Sequence, residues 1–187
     1  MKILYLTAHY DDLEVCAGGT ASRYGGTSIV LTPKPKHGTW EEADTAAAIL
    51  GIQLYGSRTD DNMYLLERIE ELAVDCDTII SVSPYDSHPE HQAAASVAQQ
   101  LARKNNVNLW YMDHAIPGGY TNSPRPNHFI NIVGHGARKR EALRCYKNVL
   151  AAYGNKWIQT IKARDEYYGA IHGTTEAEGF IVSNNMQ

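Results

Sequence analysis

Short apolar runs of strand character alternate along this chain with longer stretches whose apolar residues recur at helical spacing. KILYLT at 2–7, TSIVLT at 27–32, part of VDCDTIISVS at 74–83 and VNLWYM at 107–112 read as strands, and IQLYG at 52–56 as a shorter one. WEEADTAAAILG (40–51), NMYLLERIEELA (62–73) and HQAAASVAQQLARK (91–104) read as helices, with Gly51 where a helix stop is expected. This order leaves few choices. Successive parallel strands need a crossover, and a crossover helix must lie on a face of the sheet. The pattern predicts an α/β fold with a mostly parallel sheet covered by helices on both faces. At 187 residues, with no linker or repeat, it predicts one domain over 1–187. Further on, HAIPGGYTNSPRPN (114–127) reads as a loop, FINIV (129–133) as an edge strand, and ARKREALRCYKNVLAAYG (137–154) as one long helix.

Charge excludes some function classes. The net charge of −4 gives no reason to expect nucleic acid, and ARKREALR (137–144) reads as the wet face of a helix. No apolar run reaches the length of a membrane span. MKILYLTAHYDD carries acids where a small-residue cleavage site belongs, so a cytoplasmic location is expected. Cys16, Cys76 and Cys145 are far apart and odd in number, which fits reduced structural thiols.

Two stretches carry chemistry. TAHYDDLEVCAGGT (7–20) leaves the first strand and at once sets His9, Asp11 and Asp12 together. Adjacent carboxylates repel unless hydrated, used as caps or neutralised by a cation. Gly18-Gly19-Thr20 permits a close backbone approach or tight packing, but it is not a dinucleotide fingerprint. SPYDSHPEHQAAA (83–95) follows the third strand. Its Ser87 and Glu90 have capping-box spacing, Pro89 suits a first turn, and His88 and His91 project from one helix face. In open α/β sheets ligands bind beyond the carboxyl ends of strands, so the two stretches converge there. Imidazole plus carboxylate suits zinc, although iron or cobalt takes the same donors. The surplus of acids and histidines is what hydrolysis needs, a base for water and a donor for an oxyanion. Each piece alone has an ordinary reading: the acids as a cap or hydrated turn, the histidines as helix caps.

TAHYDDLEVCAGGT resembles the AHPDDExxxxGGT signature of the PIG-L/LmbE-like deacetylases, and SHPEH resembles that family's HPDH. EEADTAAAILGI, RKREAL and AEGF (177–180) resemble further family segments, so the likeness spans most of the chain. It implies a Rossmann-like fold and a zinc-dependent enzyme that removes an acyl group, usually acetyl, from the amide nitrogen of an amino sugar or its conjugate. It implies His9, Asp12 and His91 as metal ligands, Asp11 as general base, and a protonated His88 as the group that stabilises the tetrahedral intermediate. The chain departs from the family at Tyr10 (usually proline), Leu13 (usually glutamate) and Glu90 (usually aspartate). No arginine stands in HGTWEEAD (37–44), where the family often carries one for substrate.

The substrate side is less defined. Asp113 and His114 end the fourth strand at the same sheet edge, and Tyr120 or Trp40 offers an aromatic face to a sugar. Asp86 is placed to orient a ligand histidine or to end its strand. His37, His128, His135 and His172 have no motif and read as ordinary surface or core residues. The partner expected is a small N-acetylated amino sugar or conjugate, and an oligomer is compatible with the sequence. Two other functions fit the same residues: another metal hydrolase such as a phosphoesterase, and a catalytically silent sugar-binding module.

Overall fold

The computed structural model describes residues 1–32, 38–56, 62–114 and 124–182, with the side chains of all of these except 62–66. The elements run β1 (Ile3–Thr7), α1 (Asp12–Tyr24), β2 (Thr27–Val30), α2 (Trp40–Leu50), β3 (Gln53–Gly56), α3 (Asn62–Val74), β4 (Thr78–Ser81), α4 (Pro89–Asn105), β5 (Asn108–Met112), β6 (His128–Asn131), α5 (Gly136–Leu143), α6 (Lys147–Tyr153), α7 (Asn155–His172) and β7 (Ala177–Val182). The strands form one seven-stranded sheet in the order β3-β2-β1-β4-β5-β7-β6. The first five are parallel, while β7 runs antiparallel to β5 and to β6. The mostly parallel sheet and the edge position of FINIV are as the sequence predicts.

β1 is buried along its whole length, as a central strand covered on both faces must be. Alternation sends its side chains into two cores. Ile3 and Tyr5 join Val15 and Ala17 of α1, Ala46 and Leu50 of α2, and Leu143 of α5. Leu4 and Leu6 face the other way, toward Ile69 of α3 and Ala95, Ala98 and Leu101 of α4. Gly51 ends α2 in the left-handed conformation (φ 76°, ψ 34°), which glycine adopts without steric penalty.

The order also places the functional edge. β1 and β4 are neighbours, but the chain leaves β1 toward β2 and β3 and leaves β4 in the opposite direction toward β5. Helices depart to both sides at this point and leave a crevice beyond the strand ends.

Three expectations need correction. The single helix over 137–154 is two, α5 and α6, because the chain turns at Arg144–Tyr146 to drive Tyr146 into the core. Its hydroxyl donates to the Tyr10 carbonyl at 2.7 Å. The basic stretch is not simply a wet face: Arg138 and Arg144 face water, but Lys139 is fully buried. Its Nζ lies 2.7 Å from both Glu178 Oε1 and Asp165 Oδ2. Finally, α4 is capped by His88 rather than Ser87, with Pro89 at the first helical position. Among the described residues no helix is long and apolar enough to cross a membrane.

Candidate metal centre

The loop after β1 brings His9, Asp11 and Asp12 to the crevice, and the loop after β4 brings Asp86, His88 and His91 to meet them. Asp11 is the N-cap residue of α1, yet its side chain makes no capping hydrogen bond. Asp12 does the local work instead. Its Oδ2 accepts the backbone N–H groups of Ala8 (3.0 Å) and His9 (2.7 Å), which leaves Oδ1 turned to the histidines.

Three donor atoms then close a triangle. His9 Nδ1 is 3.1 Å from His91 Nε2 and 3.6 Å from Asp12 Oδ1, and His91 Nε2 is 3.3 Å from the same Asp12 Oδ1. A tetrahedral ion with bonds of about 2.0–2.1 Å spaces its donors about 3.3–3.4 Å apart. The donor types and spacing therefore fit a divalent cation such as zinc. Further donor sets surround this triangle: His9 with His88 and His91, and Asp12 with His91 and His114, each with atoms within 4.8 Å of one another.

The outer nitrogens of both imidazoles are held by acids. His9 Nε2 pairs with Glu90 Oε2 at 2.5 Å, and His91 Nδ1 pairs with Asp86 Oδ2. A carboxylate on the far nitrogen of a ligand histidine fixes its tautomer and raises its basicity. Asp86 Oδ1 also accepts the His88 N–H at 2.8 Å, so one residue orders two histidines. The Glu90 contact has no counterpart in the sequence motifs, which mark Glu90 only as a capping partner and a departure from aspartate.

Electrostatics separate the two adjacent acids. Burial, and next the charge of Asp12, push Asp11 up from 3.8 to about 7. Burial acts on Asp12 as well, but His114, His9 and His91 more than reverse it and hold Asp12 well below the usual carboxylate range. One acid is thus a permanent anion and the other a proton carrier near neutrality. Divergent environments of this kind mark division of labour between two carboxyl groups. Burial tends to lower His9 and His91, yet Asp12 with Glu90 raises the first, and Asp12 with Asp86 raises the second to about 9. A cation taking those nitrogens displaces protons. His88 differs: burial, then His9 and His91, lower its pKa. Its Nδ1 accepts the Glu90 N–H at 3.3 Å, which leaves Nε2 as the protonated atom of a neutral ring. The hydrogen bond and the lowered pKa favour a neutral His88 in this arrangement, where the resemblance implies a protonated one.

The remaining candidates scatter. Asp113 and His114 are brought to this edge but are buried, with 4% and 7% exposure. Asp113 accepts from the Tyr168 hydroxyl, and Arg164 donates to its carbonyl at 3.1 Å. His114 has Nε2 3.7 Å from Asp12 Oδ1. Burial works against its charge, but Cys16 and Asp12 raise its pKa well above the ordinary value. Trp40 stands edge-on to Tyr10, with ring centroids 6.1 Å apart, and packs on the core. Tyr120 and His37 lie outside the described residues. His128 packs on Trp110, His135 Nδ1 meets Ser22 Oγ, and His172 stacks on Phe129, in keeping with ordinary roles. The three cysteines are free, and burial raises Cys76 and Cys145, so neither of these is an activated thiol.

No protein-family model matches the chain. Its fold is similar to that of N,N'-diacetylchitobiose deacetylase from Pyrococcus horikoshii, with a TM-score of 0.72 and 17% identity over 97% of this chain and 83% of that one. It is similar to a conserved protein from Thermus thermophilus (TM-score 0.73, 21% identity, 97% and 94% covered). It is also similar to the zinc-inhibited form of teicoplanin deacetylase (TM-score 0.66, 14% identity, 99% and 100% covered). Fold and site together define an α/β protein with a histidine–aspartate centre at the switch point of its sheet. The fold is that of the PIG-L/LmbE-like deacetylases.

Proposed function

We propose that this protein is a metal-dependent hydrolase that removes an acetyl or related acyl group from the amide nitrogen of an amino sugar or amino-sugar conjugate. The observation that carries this reading is the split between Asp11 and Asp12. Asp12 sits in a donor triangle of metal dimensions, while Asp11 beside it makes no cap and has a pKa raised toward neutrality. A pure binding site has no use for that second acid. Two of the fold neighbours are deacetylases, which supports the amide substrate, and the zinc-inhibited form of one is compatible with a divalent ion at this centre.

His9, Asp12 and His91 would hold the ion. When bound, it polarises the amide carbonyl and acidifies water. Asp11 takes the proton of the attacking water and returns it to the departing amine. The Nε2–H of neutral His88 donates to the developing oxyanion, and losing such a donor costs about 10²–10³ in rate. Asp86 and Glu90 keep the two imidazoles in the tautomers this geometry needs. Trp40 and Tyr120 are the aromatic candidates for a sugar face. The location proposed is cytoplasmic.

The test is metal content beside acetate release. Wild type and Asp11→Asn are purified, their metals quantified, and both assayed on N-acetylated amino sugars and their conjugates. Equal metal with acetate released by wild type and slowed about 10²–10⁴-fold in Asp11→Asn is the expected result. Retained metal with no acetate from any substrate would transfer the reading to a phosphoesterase or a binding module.

A further inference from the structure

We propose that His114 is a fourth protein donor to the metal, in a five-coordinate arrangement that keeps a position for water, a role that neither sequence motif assigns to it; the inference rests on the metal centre proposed above. His114 lies two residues beyond the end of β5, so a third strand end, after β1 and β4, contributes to the site. Its Nε2 is 3.7 Å from Asp12 Oδ1, the oxygen already common to the His9 and His91 contacts. Its ring centroid is 4.8 Å from that of His91. Asp12, His91 and His114 thus form a second donor triangle. This triangle shares with the first the edge between Asp12 Oδ1 and His91 Nε2, 3.3 Å long. An ion seated against a shared edge has His9 on one side and His114 on the other.

Two simpler roles fit less well. A substrate contact has to reach the crevice, whereas His114 is 7% exposed. A core histidine of purely structural purpose satisfies at least one ring nitrogen, since unpaired buried polar atoms are rare. Neither ring nitrogen of His114 makes a hydrogen bond of acceptable geometry among the described residues, where Asp12 and Cys16 are its polar neighbours. His9 and His91 have their far nitrogens on carboxylates and one nitrogen left for a cation. Among the described residues no carboxylate holds the far nitrogen of His114 to fix its ring, so its removal costs less than that of His91.

The experiment compares wild type, His114→Leu, His114→Gln and His91→Ala. Zinc affinity is measured by competition with a chromophoric chelator, and coordination by the visible bands of the cobalt(II)-loaded proteins. Thermal melts of the metal-free proteins confirm folding, and His114→Gln serves if the leucine variant does not fold. The expected result is loss of zinc from His91→Ala, affinity lowered about 10–100-fold in the His114 variants, and altered cobalt bands in those variants. Unchanged affinity in both His114 variants overturns the proposal. Weaker binding with unchanged cobalt bands also overturns it, since His114 then acts through Asp12 rather than on the ion. Zinc retained by His91→Ala as well would mean that the metal centre itself is wrongly placed.

Discussion

Asp86 gives no donor atom to either triangle, yet it positions two histidines, the His88 backbone through Oδ1 and the His91 ring through Oδ2. An asparagine there can keep the first bond, but it turns an N–H toward His91 and favours the wrong tautomer. Asp86→Asn is expected to weaken zinc binding about 10–100-fold without unfolding the protein, as read by chelator competition. Glu14 makes a prediction of another kind. Burial, with Asp11 and Asp12 nearby, lifts its pKa from 4.5 to about 8. Between those values the folded chain keeps a proton that the unfolded chain has lost. Glu14's contribution is therefore full below the unfolded value and lost as pH rises toward about 8, by at most about 1.4 kcal/mol per pH unit. Glu14→Gln should remove that slope. Urea midpoints of metal-free wild type and variant, followed from about pH 5 to about pH 8, should converge or cross in the variant's favour; parallel curves would contradict this. At this scale the sequence is informative wherever a short loop carries its own residues, as with His9, Asp11 and Asp12, or His88 and His91. It is silent on Glu90 and His9, whose contact spans 81 positions and depends on how two loops fold over one another.

The elements that sequence pattern misses have a common cause. α7 buries Ile158, Ile161, Asp165, Tyr168 and Gly169, so an acid and a glycine interrupt its apolar stripe. β7 reads AEGFIV and buries Glu178 in the middle of a core strand. Hydrophobic periodicity does not register a buried charge, because the partners that make it tolerable lie elsewhere in the chain. Glu178 shows those partners plainly. It accepts from the N–H groups of Gly19 (2.8 Å) and Thr20 (2.7 Å), from the Thr20 hydroxyl (2.6 Å) and from Lys139 Nζ (2.7 Å). The two glycines of α1 serve this packing. A Cβ on Gly19 would stand 2.7 Å from Ile132 Cδ1 and 2.8 Å from Ile132 Cβ, whereas one on Gly18 would meet Lys139 Cγ at 3.0 Å. Alanine in a helix gains about 0.5–1 kcal/mol over glycine, while overpacking costs about 1–3 kcal/mol. Gly19→Ala should therefore destabilise the protein, and by more than Gly18→Ala. Urea midpoints decide it, and equal losses would remove Ile132 as the cause.

Across the whole molecule the parallel half is legible and the closure is not. Alternating strands and helices predict the run from β1 to β5, but nothing local says that the last strand inserts between β5 and β6 in the opposite sense. The ion group made by Lys139, Asp165 and Glu178 ties α5, α7 and β7 together under α1. Lys139→Met leaves buried Glu178 without its cation and Asp165 with only Arg164, 3.6 Å away, and should cost about 3–5 kcal/mol, measured as a fall in the urea midpoint. A loss below about 1 kcal/mol would mean that the acids simply protonate. The same group bears on how the protein is made. Glu178 reaches back 159 positions to Gly19, so while a ribosome is still adding residues before 178, the α1 backbone donors lack this acceptor and the Lys139 ammonium has Asp165 but not its second carboxylate. Completion of the native core, and with it the rigid footing beneath the loop that carries His9 and Asp11, falls to a strand translated long after the helix it secures.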